Sequence, residues 1–246
     1  MRFIPIAGII ACKDASAMIH LERVSLEYPN GVRALTDVTI SICKSDFAFI
    51  VGATGSGKST LLRLLYREIL PTRGTVIVDG EDVGKLRPSE VPFLRRKLGI
   101  VFQDFKLLPQ KNVWENLAFA LRVIGVSPKE IRRRIGEVLE LVGLTHRCDS
   151  FPHQMSGGEQ QRAAIARALV NNPMVMLADE PTGNLDPDTS WDIMQLLEQI
   201  NTRGTTVLVA THDNQIVDRM KKRVIQLDSG YVVRDQSRGT YQHCES

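Results

Sequence analysis

The chain has 246 residues, of which 43% are hydrophobic and 24% charged, so it can form a globular domain with a sizeable core and is not a disordered protein. Its formal net charge of +3 is too small to indicate a nucleic-acid partner. No stretch approaches the about eighteen consecutive apolar residues that a membrane-spanning helix requires. The cysteines lie far apart and indicate neither a zinc site nor a disulfide framework. They are Cys12, Cys43, Cys148 and Cys244.

The first seventeen residues contain a short apolar run that ends at Cys12 and superficially resembles an exported, lipid-modified leader. We reject that interpretation because the run is short and Arg2 is the only basic residue before it. Met18 directly precedes the first strand pattern. We therefore predict that residues 1–17 are an N-terminal extension, disordered or translated from a mis-assigned start, and that the domain spans residues 18–235.

An antiparallel β region is predicted to come first. Apolar and polar residues alternate over residues 19–26, which is the period of a half-exposed strand. Asn30-Gly31 then predicts a hairpin turn, because both residues tolerate positive φ. Tyr28, beside this turn, is either an aromatic on the sheet surface or a platform on which a base stacks, and the residues alone favour the first interpretation.

The next motif fits G-x-x-x-x-G-K-S/T, between an apolar run at residues 47–51 and leucines at helical spacing. In that context the loop amides and the helix N-terminus form an anion cradle. Lys58 is predicted to reach the β- and γ-phosphates of a nucleotide, and the Ser59 hydroxyl to ligate Mg²⁺. We call this motif the phosphate loop; its residues are Gly52, Ala53, Thr54, Gly55, Ser56, Gly57, Lys58 and Ser59.

The middle of the chain changes character. Gln103 directly follows a predicted strand at residues 99–102, and a lone glutamine there is ordinarily a solvated loop residue. From about residue 112 to 144 apolar residues recur at helical intervals, which predicts a helical subdomain over about residues 104–160. The basic clusters at residues 132–134 and 221–223 are most simply solvated faces, and a role near anionic lipid is open but unsupported.

A second glycine-rich segment, Ser156-Gly157-Gly158, begins an alanine-rich helix. Ser156 is a good N-cap, whereas two glycines weaken a helix start. They are useful where a ligand must approach the backbone closely, and at a helix N-terminus that ligand is phosphate. We call these three residues the signature segment and predict a second anion site there.

Two carboxylates, Asp179 and Glu180, end a buried strand pattern at residues 175–178. In a parallel sheet this end is where ligands gather. Asp179 is predicted to hold Mg²⁺ through its water shell, and Glu180 to orient and deprotonate an attacking water. A last buried strand pattern ends at His212. An isolated histidine at a strand end more often has a structural role, but together with the other motifs His212 could contact the γ-phosphate. Residues 236–246 are predicted to be a polar tail.

In order and approximate spacing, these motifs resemble the ATP-binding subunits of ABC transporters over about residues 18–235. The resemblance implies an α/β fold: a P-loop NTPase (RecA-like) core, an N-terminal antiparallel β subdomain and an inserted helical subdomain. Met155 stands where the family usually has Leu, and Glu159 where it usually has Gln. Neither change alters the expected helix start.

The resemblance also implies ATP and Mg²⁺ as ligands and a head-to-tail homodimer with two composite ATP sites. ATP on Lys58 and Ser59 of one subunit would meet Ser156 and Gly158 of the other. The family's roles then fall on further residues of this chain: base stacking on Tyr28, nucleotide contacts from Thr60, Gly157 and Asp186, and Mg²⁺ and catalysis at Gln103.

Finer features, at residues 91–96, 99–109 and 179–186, resemble the branch of this family that acts in bacterial cell division. That branch implies an integral membrane partner of the FtsX type, a peripheral location on the cytoplasmic face of the inner membrane, and control of cell-wall hydrolases. An exporter ATPase of the lipoprotein-release or macrolide-efflux type shares every catalytic residue and stays an alternative. A soluble family member acting on ribosomes or DNA typically has a second ATPase domain or a long coiled coil, and this chain has neither, so no nucleic acid is expected.

Overall fold

The computed structural model describes residues 17–237 and Gly239. The predicted N-terminal extension, apart from Ala17, and most of the predicted polar tail lie outside these residues. In chain order the elements are β1 (Ala17–Glu27), β2 (Arg33–Cys43), β3 (Phe47–Val51), α1 (Lys58–Leu65), β4 (Arg73–Val78), β5 (Glu81–Asp82), α2 (Val91–Arg96), β6 (Leu98–Val101), α3 (Val113–Val123), α4 (Pro128–Leu141), α5 (Gly157–Leu169), β7 (Val175–Asp179), α6 (Pro187–Thr202), β8 (Thr206–Thr211), α7 (Asn214–Met220), β9 (Arg223–Asp228) and β10 (Tyr231–Gln236).

These elements form two compact units. Unit 1 contains the chain up to Leu94 and again from Thr206, and unit 2 runs from Arg95 to Thr205. The helical subdomain predicted at residues 104–160 lies within unit 2.

Unit 1 contains an antiparallel sheet in the order β2-β1-β4-β5 and a mixed set of strands in the order β10-β9-β3-β8. In the mixed set, β3 is parallel to β8 and to β9, while β10 is antiparallel to β9. Every residue of β3 and of β8 is buried, which explains their uninterrupted apolar sequence. The β3–β8 register pairs Val51 with Thr211, so the phosphate loop and His212 leave the sheet at the same edge.

Unit 2 pairs β6 with β7 in parallel, and helix α5 packs against β6. Helix α3 begins at a capping box between Asn112 and Glu115, and α4 begins at Ser127 with a proline in its first turn. Their buried residues recur at helical spacing: Leu117 and Leu121 on α3, and Ile131, Ile135 and Leu139 on α4. The predicted α/β fold, with a β region before the phosphate loop and inserted helices after it, is confirmed.

Several local predictions need correction. In the β1–β2 connection Gly31 has φ 82°, but Asn30 is not among the residues with positive φ. The connection is a five-residue loop closed by the Tyr28 amide on the Val32 carbonyl, and the Asn30 side chain accepts from the Val32 amide. Cys43 takes part in a disulfide, which the cysteine spacing does not predict.

The two basic clusters behave differently from one another. Arg133 pairs with Glu130 and Glu137, as expected of a solvated helix face. Arg223 is instead buried, and its guanidinium makes two hydrogen bonds, of 2.9 and 2.8 Å, to the buried Asp235 carboxylate. The prediction of a solvated face is therefore wrong at Arg223. No helix in the described part of the chain is long and apolar enough to span a bilayer.

Candidate functional site

The phosphate loop of unit 1 follows a path that requires glycine at two positions. Gly52 has φ 146°, and a Cβ there would lie 2.2 Å from the Leu227 carbonyl oxygen. Gly57, the N-cap of α1, has φ 107°, and a Cβ there would lie 2.5 Å from the Ala34 carbonyl oxygen. The loop thus has its backbone against β9 and β2, while residues 53–55 are exposed.

Lys58 is folded back into this loop. It is only 7% exposed, and its Nζ donates to the carbonyl oxygens of Gly52 at 2.8 Å and of Ala53 at 3.1 Å. The ammonium group is therefore fixed where the loop curls, as a phosphate-binding lysine requires. Ser59, in the first turn of α1, is exposed.

Tyr28 and Thr60 lie together in unit 1, with 3.1 Å between their hydroxyl oxygens. The bond fixes a half-buried aromatic ring beside the start of α1. That position suits a ring that stacks on a base. His212 follows β8 and is exposed, and the next residue, Asp213, caps α7 by accepting from the Ile216 amide at 3.1 Å.

In unit 2, the signature segment forms a complete capping box. The Ser156 hydroxyl accepts from the Glu159 amide at 3.2 Å, and the Glu159 carboxylate accepts from the Ser156 amide at 2.9 Å. The bond from the Ser156 amide lowers the pKa of Glu159, assisted by Arg147, whose Nε lies 2.8 Å from the carboxylate. A carboxylate serves this box as the usual Gln would, and its charge is balanced.

The glycines of the signature segment also have neighbours within unit 2. A Cβ on Gly158 would lie 2.5 Å from Cγ2 of Thr189, and one on Gly157 would lie 3.2 Å from Leu185. The sequence predicts that both glycines allow phosphate to approach the backbone. Packing against α6 and the turn before it supplies a second reason for them.

Asp179 ends β7, and Glu180 follows in a left-handed conformation with φ 48°. That conformation costs a non-glycine residue about 1–2 kcal/mol. The Gly183 amide offsets part of this cost by donating to the Glu180 carbonyl at 3.1 Å. Backbone strain of this kind concentrates at functional sites.

Gln103 lies against the turn that follows Glu180. Its backbone carbonyl accepts from the Asn184 side-chain amide at 3.2 Å, and its Nε2 lies 2.9 Å from where a Cβ on Gly183 would be. Asp186 ends the turn as the N-cap of α6, accepting from the Thr189 amide at 2.9 Å. The hydrogen bond with Thr189 lowers the pKa of Asp186. In unit 2, Gln103 thus lies beside Gly183 and Asn184. Gly158 and Asp186 are both neighbours of Thr189.

Four contributors were missed at the sequence level. Asn184 and Thr189 stand in otherwise predicted segments and have no motif of their own. Arg147 reaches Glu159 from a short turn twelve residues earlier, and Gln161 is buried in α5. Pairings of this kind depend on tertiary contacts, which leave no periodic signal in a sequence.

The residues fit a nucleotide and a hard cation. The buried Ser56 hydroxyl, beside the curled loop, has no hydrogen-bond partner among the described residues, and Lys58 supplies a fixed positive charge. Ser59, Gln103 and Asp179 offer the oxygen donors that Mg²⁺ prefers. Across residues 17–237 and Gly239 no cluster of three or more His, Cys, Asp or Glu is suited to a metal. Nucleotide-bound Mg²⁺ typically uses only one or two carboxylates together with phosphate oxygens.

Comparison with known proteins places these motifs in context. The family model described as ABC transporter matches residues 35–183. The cell division ATP-binding protein FtsE of Bacillus subtilis (strain 168) is 55% identical over 224 residues, which is 91% of this chain and 98% of that protein. FtsE of Mycobacterium tuberculosis (strain ATCC 25618 / H37Rv) is 56% identical, over 91% and 98% of the two chains. FtsE of Escherichia coli (strain K12) is 46% identical, over 87% and 97%.

Solved structures give the same result for the fold. The dimeric post-hydrolysis state of the ATP-binding cassette MJ0796, bound to ADP and Pi, superposes with a TM-score of 0.81 at 39% identity and covers 90% of this chain and 100% of that one. The cbiO1 protein from Clostridium perfringens, part of the cbiONQ transporter complex, superposes with a TM-score of 0.85 at 31% identity, covering 90% and 89% of the two chains.

Proposed function

This chain belongs to the ABC transporter family of ATPases, and we propose that it is the ATP-hydrolysing subunit of a membrane complex in bacterial cell division. The observation that carries the proposal is the likeness to cell-division ATP-binding proteins over nearly their whole length. The local geometry supports it, because both predicted anion sites have the backbone that their motifs require.

Unit 1 provides the groups that bind ATP in this proposal. The phosphate-loop amides and Lys58 hold the β- and γ-phosphates, Tyr28 stacks on the base, and Thr60 keeps the Tyr28 ring in place through its hydroxyl. Lys58 is bound to the Gly52 and Ala53 carbonyls, so it exchanges part of that hydrogen bonding for phosphate when ATP binds. His212 contacts the γ-phosphate.

Unit 2 provides the groups that hydrolyse it. Glu180, which has a left-handed backbone, orients the attacking water and accepts its proton. Asp179 and Gln103, like Ser59 in the phosphate loop, would supply oxygen donors to Mg²⁺, which when bound would neutralise charge on the phosphates. The γ-phosphoryl group is transferred to water, with cleavage of its bond to the β-phosphate bridging oxygen.

The signature segment serves a second copy of the chain. Gly157 and Gly158 present backbone amides and Ser156 a hydroxyl at the start of a thirteen-residue helix, which favours an anion. In a head-to-tail homodimer this anion is the γ-phosphate on the other subunit, and Asp186 lines the same interface. Closure on ATP and opening after hydrolysis then move whatever is docked on the subunits.

The docked component is an integral membrane partner of the FtsX type, which keeps this subunit peripheral on the cytoplasmic face of the inner membrane and passes its motion to the control of cell-wall hydrolases. Helix α3 offers an apolar surface for it. Phe119 is 49% exposed and Val123 65% exposed, four residues apart on one face. Exposed apolar residues at this spacing suit a helix of the partner.

Two substitutions test the enzymatic part. Glu180→Gln keeps the shape of the side chain but cannot accept the water proton, so we expect hydrolysis to stop and an ATP-bound dimer to accumulate in sedimentation velocity. Lys58→Ala should abolish tight nucleotide binding in a calorimetric titration, while Lys129→Ala, in the first turn of α4, should not. Wild-type turnover in the Glu180→Gln protein, or unchanged affinity in the Lys58→Ala protein, would contradict the assigned roles.

An exporter ATPase of the lipoprotein-release or macrolide-efflux type is the second candidate, because it shares every catalytic residue. Only the partner separates the two. We expect that purification from detergent-solubilised membranes recovers an FtsX-like protein with this chain, and less of it with Phe119→Asp. Recovery of an exporter permease without an FtsX-like protein would reject the division role.

A further inference from the structure

Gln161 is a buried amide that the proposed function does not use. It lies on α5, five residues after Ser156, with 0% of its surface exposed. Its Nε2 donates to the Pro181 carbonyl oxygen at 2.6 Å. Its Oε1 has no hydrogen-bond partner among the described residues. Stability alone does not explain a buried amide whose nitrogen is hydrogen-bonded while its oxygen is not.

The bond joins the two halves of the chemistry in unit 2. Pro181 directly follows Glu180, whose left-handed backbone is closed by the Gly183 amide. The start of α5, about 7 Å from Gln161 along the helix axis, is the signature segment. One short hydrogen bond therefore ties the helix that meets the partner's nucleotide to the residue beside the proposed general base.

The surroundings make this link stiff. Pro181 and the neighbouring Thr182 are both buried, and α5 packs through the buried Ala163, Ala164 and Ile165. An α-helix is stiff, because its backbone hydrogen bonds are internal. A shift at its N-terminus must therefore carry the Pro181 carbonyl with it or break the 2.6 Å bond.

We propose that Gln161 is a positioning residue that couples the two ATP sites of the dimer. ATP engaged by the signature segment of one subunit moves α5, and Gln161 passes this movement through the Pro181 carbonyl to Glu180 of the same subunit. Each site thereby sets the general base of the other, and hydrolysis depends cooperatively on ATP. The inference rests on the proposed function, since it requires the head-to-tail dimer.

The main test is Gln161→Met, which keeps side-chain length and volume but removes the donor. We expect kcat to fall about ten- to hundredfold, as for a displaced catalytic group, with KM for ATP little changed. The sigmoidal dependence of rate on ATP expected of the wild type should become hyperbolic. Hydrogen exchange at the Gly183 amide should become faster, because the Glu180 turn is no longer held.

Asn116→Leu is the matched control. Asn116 is also a fully buried amide of unit 2, and its side chain bonds only the segment around residues 108–112. Its loss should lower the melting temperature at least as much as Gln161→Met does, but leave the sigmoidal ATP dependence and the Gly183 amide unchanged. If the role of Gln161 were purely structural, Gln161→Met would lower activity only in proportion to its loss of melting temperature, as Asn116→Leu does.

The outcomes separate the inference from its premise. An unchanged kcat and sigmoidal curve in Gln161→Met, or a wild-type enzyme that responds hyperbolically to ATP, would overturn the coupling alone. Absence of an ATP-dependent dimer in the Glu180→Gln protein would overturn the proposed function and the coupling with it. If Gln161→Met misfolds, Gln161→Leu gives the same kinetic comparison without a donor.

Discussion

Replacing Gly158 by alanine tests why glycine stands in the signature segment. The added Cβ would lie 2.5 Å from Cγ2 of Thr189, but 3.8 Å from its Cβ and 3.9 Å from its Oγ1. Carbon atoms in contact ordinarily stand about 3.5–4.0 Å apart, so the clash involves a single methyl group. Thr189→Ser removes that methyl and should remove the clash.

The expected magnitudes follow from this geometry. Overpacking costs about 1–3 kcal/mol, and alanine recovers up to about 1 kcal/mol of helix propensity over glycine. Gly158→Ala alone should therefore destabilise the protein by about 0–2 kcal/mol. Thr189→Ser alone should cost about 0.8 kcal/mol for the lost methyl. Because the clash is absent from the double variant, its coupling energy should be about 1–3 kcal/mol in favour of the pair.

The assay is urea unfolding of the wild type, both single variants and the double variant, followed by circular dichroism. Gly136→Ala in α4 is the control, because its Cβ meets nothing within 4 Å; it should gain up to about 1 kcal/mol. We also expect the double variant to hydrolyse ATP faster than Gly158→Ala alone, since the Cβ points towards Thr189. A coupling energy below about 0.5 kcal/mol would refute this explanation of the glycine.

Three further predictions concern charged groups. Arg223→Met should destabilise unit 1 by about 3–5 kcal/mol in thermal unfolding, because it removes the guanidinium that makes two hydrogen bonds to the buried Asp235 carboxylate, whereas adding Asp235→Leu should recover most of the loss. The hydrogen bonds from Arg133 and Arg134 lower the pKa of Glu130 to about 2. The ionised carboxylate therefore stabilises the folded protein fully above pH 4.5, the ordinary pKa of a glutamate, and this contribution is lost as the pH falls through about 2. A midpoint near 4.5 in an NMR titration of Glu130 would contradict this. Burial lowers the pKa of Arg167, whose guanidinium donates to the carbonyls of residues 105 and 106, both of which have positive φ. Arg167→Met should therefore speed amide hydrogen exchange over residues 104–108. Unchanged exchange would show that Arg167 does not hold this loop in place.

The phosphate loop could be predicted from sequence because its constraints are local. Consecutive residues encode the buried strand, the glycines whose backbone angles other residues rarely adopt, and the following helix. The same holds for the capping boxes at Asn112 and Ser156, in which partners stand three residues apart. Element types and the α/β class followed from hydrophobic period for the same reason.

Features that depend on tertiary contacts were not predictable. Glu180 has a left-handed backbone, which a sequence usually indicates only by a glycine. The burial of Arg223 depends on Asp235, which lies on another strand. The hairpin between β1 and β2 forms as expected, but Asn30 does not have positive φ, and the turn is a longer loop that the Tyr28 amide closes on Val32. Gln161 sits in an ordinary helical pattern, and only the distance to the Pro181 carbonyl reveals its contact.

In the proposed dimer, each ATP site is built from two copies of this chain. Lys58→Ala disables the phosphate loop, and Ser156→Arg obstructs the signature segment, so each variant alone should release almost no phosphate from ATP. In an equal mixture, half of the dimers pair one of each and contain one intact site, so activity should rise above that of either variant, to about a quarter of the wild-type rate if the two sites are independent and to less if Gln161 couples them. A mixture as inactive as its components would contradict the composite site.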